Sequence, residues 1–320
     1  MERRILVSVP ELTEAQRAEI AAAAEACGFS ARFCDDPEEA LKLAEEAEII
    51  LGQDARLPAA APKLRWMATP FAGVDGFLRQ ASFRSDEVLL TCSAGAYGVT
   101  ISEHVVWALL DLMRRGAEYR AVTAERSWDR GLPVRSIHGS RVTVLGTGDI
   151  GTACAVRLRG FQPARITGVS RRGLPNPAFD AVCRVGELDG LLPVTDVLIM
   201  ALPGTPETAG LMNRQRLNRL PSDAILVNVG RGISLDQKAL EEVLRAGTLG
   251  GAALDVFETE PLPPEDSLWD CPRLLLTPHI AGNMTLPYTV ERIKELFIEN
   301  LGRYSAGEPL RSLVNRARGY

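Results

Sequence analysis

The segment "VTVLGTGDIG", residues 142–151, limits the architecture of this chain more than any other. An apolar run reads as a buried strand, glycines follow it, and "TACAVRLRGF" continues in a helical pattern. Gly146, Gly148 and Gly151 stand in G-x-G-x-x-G spacing. The first glycine permits a tight turn, the second lets backbone approach a pyrophosphate, and the third lets the helix pack close to the strand. Backbone N–H groups of Thr147, Gly148, Asp149 and Ile150 would then face an anion at a helix N-terminus. The hexapeptide alone also fits a glycine-rich turn with no ligand. Its strand–turn–helix frame favours the dinucleotide reading.

The remaining chain repeats the same alternation. "ILVSV", "SARFC", "AEIIL", "LRWMAT" and "EVLLTC" read as strands, with Ala/Glu-rich helical stretches between the earlier ones. Thr13 and Gln16 form a capping-box pattern, and Gly28 supplies a helix stop. "TISEHVVWALLDLMR", residues 100–114, reads as a helix. A second series of strands follows in "SRVTVLG", "ARITGVS", "DVLIMAL", "DAILVNV", "GGAALDV" and "RLLLTP", and the chain closes on a helix near "YTVERIKELFIENLGRYSAG". Strands alternating with helices imply parallel sheets covered by helices. The second series makes one doubly wound unit over residues 100–282, and the final helix is expected to return to the first series. The ligand site is expected in the cleft between the two.

Composition sets outer bounds. A length of 320 residues suits two domains, and 46% hydrophobic with 24% charged residues is ordinary for a globular protein. A net charge of −5 gives no reason to expect nucleic acid or an anionic membrane as partner. The six cysteines stand singly, with no C-x-x-C pair, which suits reduced thiols in the cytoplasm. The basic start is followed by too short an apolar run for a signal peptide, and no stretch reaches the roughly 18 apolar residues of a membrane helix. No residue cluster has metal-ligand spacing.

About 20 residues past the glycines, a dinucleotide-binding unit usually carries an acid that holds the ribose hydroxyls. Here the strand ends in Ser170, Arg171 and Arg172. Serine removes the repulsion a carboxylate would exert on a 2′-phosphate, and the guanidinium groups can bond that phosphate. NADPH is therefore the expected cofactor, with NADH bound past two solvated arginines as the alternative.

Three further segments end strands: "ILVNVGRG" places Arg231, "ALDVFETEP" places Asp255, Glu258 and Glu260, and "LLLTPHIAG" places His279. Groups at strand carboxyl ends converge in an open α/β sheet. Of the three histidines, His104 falls on a helix and His138 precedes the first strand of the second series, so both read as structural.

These segments resemble the D-2-hydroxyacid dehydrogenase family, which includes glycerate, hydroxypyruvate/glyoxylate and D-lactate enzymes. "FAGVDGF", "GVTISEHVVWALL", "LPGTPETAGLMN", "NVGRG", "LDVFETEP" and "TPHIAG" are similar to its motifs, in order, over nearly the whole chain. The resemblance implies a flavodoxin-like substrate domain at 1–99 plus 283–320 and a Rossmann NAD(P)-binding domain at 100–282. It implies that Arg231 holds the keto-acid carboxylate and orients the carbonyl, that His279 is the acid/base, and that Glu260 pairs with it. Glu258 is the rival by position, and the Glu-Pro match decides for Glu260. Thr100, Leu202, Pro203, Thr208, Val229, Gly230, Asp255 and Gly282 are implied at the cofactor, Asp255 against the nicotinamide amide. Backbone N–H groups of Ala72 and Gly73 are implied at the substrate carboxylate. A homodimer through the cofactor domains is implied as well.

The residue types suit this chemistry. Reduction of a ketone builds negative charge on oxygen, which a cation and a proton donor relieve. Phe71 in "TPFAGVD", Tyr97 in "SAGAYGVT" and the stretch "AGNMTLPY" fall where the substrate side chain is expected, so glyoxylate, hydroxypyruvate and larger 2-keto acids remain open. Two other readings compete: an NADP(H)-binding sensor or scaffold without significant turnover, and oxidation of formate or phosphite. No extra lysine in the "FAGVD" loop suggests phosphite.

Overall fold

The computed structural model describes residues 3–319; Met1, Glu2 and Tyr320, at the ends of the expected substrate domain, lie outside the described residues. Contacts divide the chain into two compact units, one running to Tyr97 and resuming at Met284, the other Gly98–Asn283.

The first unit carries β1 (Arg3–Ser8), α1 (Glu14–Ala26), β2 (Phe29–Phe33), α2 (Pro37–Leu43), β3 (Ile49–Gly52), α3 (Leu57–Ala60), β4 (Trp66–Ala68), α4 (Asp75–Gln80) and β5 (Leu89–Thr91). Its sheet has the order β2-β1-β3-β4-β5 with every pairing parallel. The capping box of α1 forms: the Gln16 N–H donates to Thr13 Oγ1 at 3.3 Å, and the Thr13 N–H to Gln16 Oε1 at 2.9 Å. Gly28, at φ +78°, turns the chain out of that helix. The C-terminal helix, Pro287–Ala306, packs Val290, Phe297 and Leu301 with Ile5, Val7 and Trp66 in one buried cluster. Phe297 stacks on Trp66 at 5.2 Å between ring centres, and the Trp66 indole N–H donates to Thr91 Oγ1 at 2.9 Å. A buried indole is tolerated because its one donor is satisfied.

The second unit carries α5 (Gly98–Met113), α6 (Gly116–Ala124), β6 (Arg141–Leu145), α7 (Asp149–Leu158), β7 (Arg165–Ser170), β8 (Ala181–Arg184), α8 (Leu188–Leu191), β9 (Val197–Met200), α9 (Arg214–Leu217), β10 (Ile225–Asn228), α10 (Gln237–Arg245), β11 (Gly251–Leu254) and β12 (Leu274–Leu276). Its seven strands run β12-β11-β10-β9-β6-β7-β8, again all parallel. The order reverses at β6, which makes the sheet doubly wound and places the switch point where the glycine turn begins. Residues of β9 and β10 are buried throughout, as parallel strands covered on both faces must be. α5 turns Ile101, Val105, Ala108 and Leu109 inward and leaves Trp107 45% exposed, so most of its apolar face is core. β8 and α6 escape the sequence reading because neither buries a residue. Four residues are too few to show a period, and a helix with no buried face shows no apolar stripe.

Candidate active site

The glycine turn is built by packing at two positions and not at the third. A Cβ on Gly146, which sits at φ +99°, would meet the Ala201 carbonyl; one on Gly151 would meet the Gly146 carbonyl. A Cβ on Gly148 would meet nothing within 4 Å, and its φ of −76° is open to any residue. Nothing inside the protein therefore requires glycine at 148. The missing side chain leaves open space at the N-cap of α7, beside the first-turn N–H groups of Asp149, Ile150 and Gly151. That space fits a pyrophosphate, and the site's donors and helix end have the right polarity for it.

The neighbouring strand ends close around this turn. A Cβ on Gly230 would lie 2.5 Å from the Leu202 nitrogen, so only glycine lets the β9 and β10 ends meet. Leu202 and Val229 are buried there. The Thr208 hydroxyl donates to the Pro203 carbonyl at 2.6 Å and folds that loop on itself. Thr100 and Gly282 are half-buried. Ser170 ends β7 and accepts the Gly173 N–H at 3.2 Å, and Arg171 and Arg172 are exposed on the turn between them.

Arg231, Glu260 and His279 are linked through contiguous backbone. Arg231 follows β10, and its carbonyl accepts from Asn228 Nδ2 at 3.2 Å and Ser234 Oγ at 2.7 Å, both side chains fully buried. Its guanidinium donates to the Gly230 carbonyl at 2.8 Å. The next residue, Gly232, lies flush against Phe257 backbone, where any side chain would collide. The Phe257 N–H donates to Glu260 Oε1 at 2.9 Å, and Glu260 Oε2 lies 2.7 Å from His279 Nδ1. His279 is therefore held at Nδ1, which leaves Nε2 as the atom able to exchange a proton with a ligand. Glu258 goes elsewhere. It accepts the Gln237 N–H at 3.2 Å, and its own N–H donates to Gln237 Oε1, so it anchors the start of α10.

Asp255 is 3% exposed and serves the histidine loop from below. Its Oδ1 accepts Thr277 Oγ1 at 2.7 Å and the Ile280 N–H at 2.8 Å, and Oδ2 accepts the Ala281 N–H at 2.9 Å. These bonds fix the chain on both sides of His279, which sits at a left-handed φ of 54°. Any bond to a nicotinamide amide would add to three already made. Thr277 Oγ1 also lies 3.3 Å from His104 Nε2; since its proton goes to Asp255, His104 Nε2 is the donor. Burial pushes the His104 pKa down, and the Asp255 charge opposes that shift only in part. His104 reads from the sequence as structural, and the second glycine of "GRG" is the sequence signal for the close approach at Gly232.

In the first unit, Phe71, Ala72 and Gly73 are half-buried on the loop after β4. Ser93 braces this loop: its N–H donates to the Phe71 carbonyl at 2.9 Å and its hydroxyl to the Thr69 carbonyl at 3.0 Å. Tyr97, expected at the substrate, is 4% exposed, and its hydroxyl donates to the Pro70 carbonyl at 2.8 Å. Its polar end is thus spent on holding the loop, and burial raises its pKa. Among the described residues no group of three or more His, Cys, Asp or Glu is placed to hold a metal, and no helix is long and apolar enough to cross a membrane.

Comparison with known proteins gives a consistent set of relatives. A family model described as "D-isomer specific 2-hydroxyacid dehydrogenase, NAD binding domain" matches residues 106–281. Glyoxylate/hydroxypyruvate reductase A of Klebsiella pneumoniae (strain 342) is 35% identical over 257 residues, 78% of this chain and 80% of the relative. A D-isomer specific 2-hydroxyacid dehydrogenase family protein from Aeromonas salmonicida superposes with a TM-score of 0.87 at 34% identity, covering 99% of this chain and all of the other. An NADPH-dependent glyoxylate/hydroxypyruvate reductase from Sinorhizobium meliloti, in complex with NADP and sulfate, superposes with a TM-score of 0.81 at 27% identity, covering both chains in full.

Proposed function

The chain belongs to the D-isomer specific 2-hydroxyacid dehydrogenase family, and from that premise we propose that it reduces a small 2-keto acid to the D-2-hydroxy acid with NADPH as preferred cofactor. It is an NAD(P)-dependent 2-hydroxyacid oxidoreductase. The observation that carries the mechanism is the 2.7 Å contact between Glu260 Oε2 and His279 Nδ1.

The glycine turn (Gly146, Thr147, Gly148, Asp149, Ile150, Gly151) and the edge formed by Leu202, Pro203, Val229 and Gly230 would hold the dinucleotide. When bound, it supplies a hydride. Arg231 pairs with the substrate carboxylate and orients the carbonyl, a charge-assisted contact from a loop that Asn228 and Ser234 keep rigid. As negative charge builds on the carbonyl oxygen, His279 gives up the proton at Nε2. Glu260 fixes the ring through Nδ1, so that Nε2 is the atom turned to the substrate oxygen. Ala72 and Gly73 keep their proposed role as N–H donors to the carboxylate, with Phe71 shaping specificity. Tyr97 supports that loop.

The absence of an acid at Ser170, Arg171 and Arg172 supports NADPH, and the Sinorhizobium relative is itself described as NADPH-dependent. The relatives' names point to glyoxylate and hydroxypyruvate as first substrates. A homodimer through the second unit is proposed on the exposure of Trp128, 91%, and Trp107, and the cytoplasm on six unpaired cysteines.

The test is loss of nicotinamide absorbance with NADPH or NADH against glyoxylate, hydroxypyruvate and bulkier 2-keto acids. Faster turnover with NADPH is expected. NADPH binding without turnover of any keto acid would overturn the reductase reading in favour of a sensor.

A further inference from the structure

Asn176 stands on the loop that carries Arg171 and Arg172, yet its side chain reaches back to the glycine turn. Its Nδ2 donates to the Thr147 carbonyl at 3.3 Å and to Thr152 Oγ1 at 2.9 Å, and its Oδ1 accepts the Ala178 N–H at 3.0 Å. Thr152 Oγ1 donates in turn to the same Thr147 carbonyl at 3.3 Å. The three groups close a triangle between the first turn of α7, the glycine turn and the loop after β7.

This triangle has two geometric consequences. A trans peptide holds its C=O and N–H antiparallel. Fixing the Thr147 carbonyl on Asn176 and Thr152 therefore turns the Gly148 N–H away from them. The second consequence concerns the cationic loop. Ser170 holds its start through the Gly173 N–H, and Asp180 holds its end by accepting the Ile166 N–H at 2.7 Å and Arg159 Nη2 at 2.7 Å. Between those anchors, Asn176 is the tie to the glycine turn, and Pro175 and Pro177 stiffen the backbone on either side of it.

We infer that Asn176 is a positioning residue for cofactor discrimination: it clamps the Arg171–Arg172 loop to the glycine turn, fixing the span between the site for a 2′-phosphate and the site for the pyrophosphate. This rests on the NADPH reading above. A dinucleotide carrying the 2′-phosphate must satisfy both sites at once, so its binding depends on that span. One lacking it uses the glycine turn alone and depends on it less. The outer anchors do not involve Asn176, so its loss frees a short segment and leaves the loop ends in place.

The test is equilibrium titration of NADP+ and NAD+, followed by calorimetry, into wild type, Asn176→Ala and Thr152→Val, with thermal unfolding as a control. Asn176→Ala is expected to weaken NADP+ about tenfold, as loss of two hydrogen bonds allows, and NAD+ by no more than about threefold. Thr152→Val should shift the ratio the same way, and it carries the test if the Asn176 variant does not fold. With Arg171 and Arg172 both replaced by alanine, adding Asn176→Ala should cost NADP+ only what it costs NAD+. Equal weakening of both dinucleotides in the otherwise wild-type protein, or an unchanged ratio, overturns the inference. Equal affinity of wild type for the two overturns the NADPH reading itself, and with it the inference, a result visible before any variant is made.

Discussion

Glu260 bridges His279 and the backbone: one carboxylate oxygen lies 2.7 Å from Nδ1 and the other accepts the Phe257 N–H at 2.9 Å. The carboxylate cannot swing away without leaving a backbone donor unpaired. The ring it holds therefore keeps one orientation, with Nε2 directed away from the protein's own partner.

Replacing Glu260 by glutamine keeps the shape and removes the charge. The kcat for keto-acid reduction is expected to fall by about tenfold to a hundredfold, because the ring loses the carboxylate acceptor that fixes it through Nδ1. The dissociation constant for NADPH should stay within twofold of wild type. Steady-state kinetics and a cofactor titration check this, and an unchanged kcat would remove Glu260 from the mechanism.

Arg231→Ala tests the other half of the site. Its expected cost is on the order of a thousandfold in kcat/KM, since a charge-assisted contact to both carboxylate and developing oxyanion is lost. Cofactor binding, measured by fluorescence titration, should persist. Arg231→Lys should recover only part of the loss, because an ammonium cannot reproduce the guanidinium fork.

Gly148 and Gly151 should respond oppositely to alanine. At 148 the added methyl meets no protein atom, so unfolding stability should change by no more than about 0.5 kcal/mol while dinucleotide affinity collapses. At 151 the methyl runs into the Gly146 carbonyl, and a loss of about 1–3 kcal/mol is expected before any ligand is added. Thermal melts paired with cofactor titrations separate the two. A stability loss at 148 as large as that at 151 would contradict the open space seen there.

His104 supplies a pH prediction. Burial holds its folded pKa below the ordinary 6.5, so the unfolded chain binds the proton more readily. Its contribution favours folding above pH 6.5 and is lost as pH falls from there through the depressed folded value. Urea unfolding at pH 7.5 and 5.5 should show a larger acid loss for wild type than for His104→Gln. Equal losses would mean the His104–Thr277–Asp255 chain tolerates a charged imidazole.

Much of the second unit was legible because its signals are local. Strands buried on both faces read as unbroken apolar runs, and Gly146 and Gly151 stand where a side chain would collide with backbone. Arg231 and His279 stand out as candidates for the same reason, since each sits just past such a run, while Glu260 is singled out by the Glu-Pro match of the resemblance. Most partnerships were not. The resemblance assigns Glu260 to His279, but only the folded loop gives Glu258, two places earlier, to Gln237. Asp255 reads as a cofactor contact, and the fold also has it carry three bonds of the histidine loop. Tyr97 reads as a substrate contact and spends its hydroxyl on Pro70. Asn176 carries no motif signal in the sequence, and the fold has it tie two loops together.

The sequence by itself determined the buried strands, which turn carries the glycines, and which polar residues end up at strand carboxyl ends, because burial period and backbone sterics act over a few neighbouring residues. Tertiary structure decided what else those polar groups touch, as with Glu258 at Gln237 and Asp255 at the histidine loop. That depends on the order of strands in the sheet, β12 beside β11 beside β10, and on where each loop finds a donor or acceptor within about 3 Å. A hydrogen bond is set by distance in space, and separation along the chain carries almost no information about it.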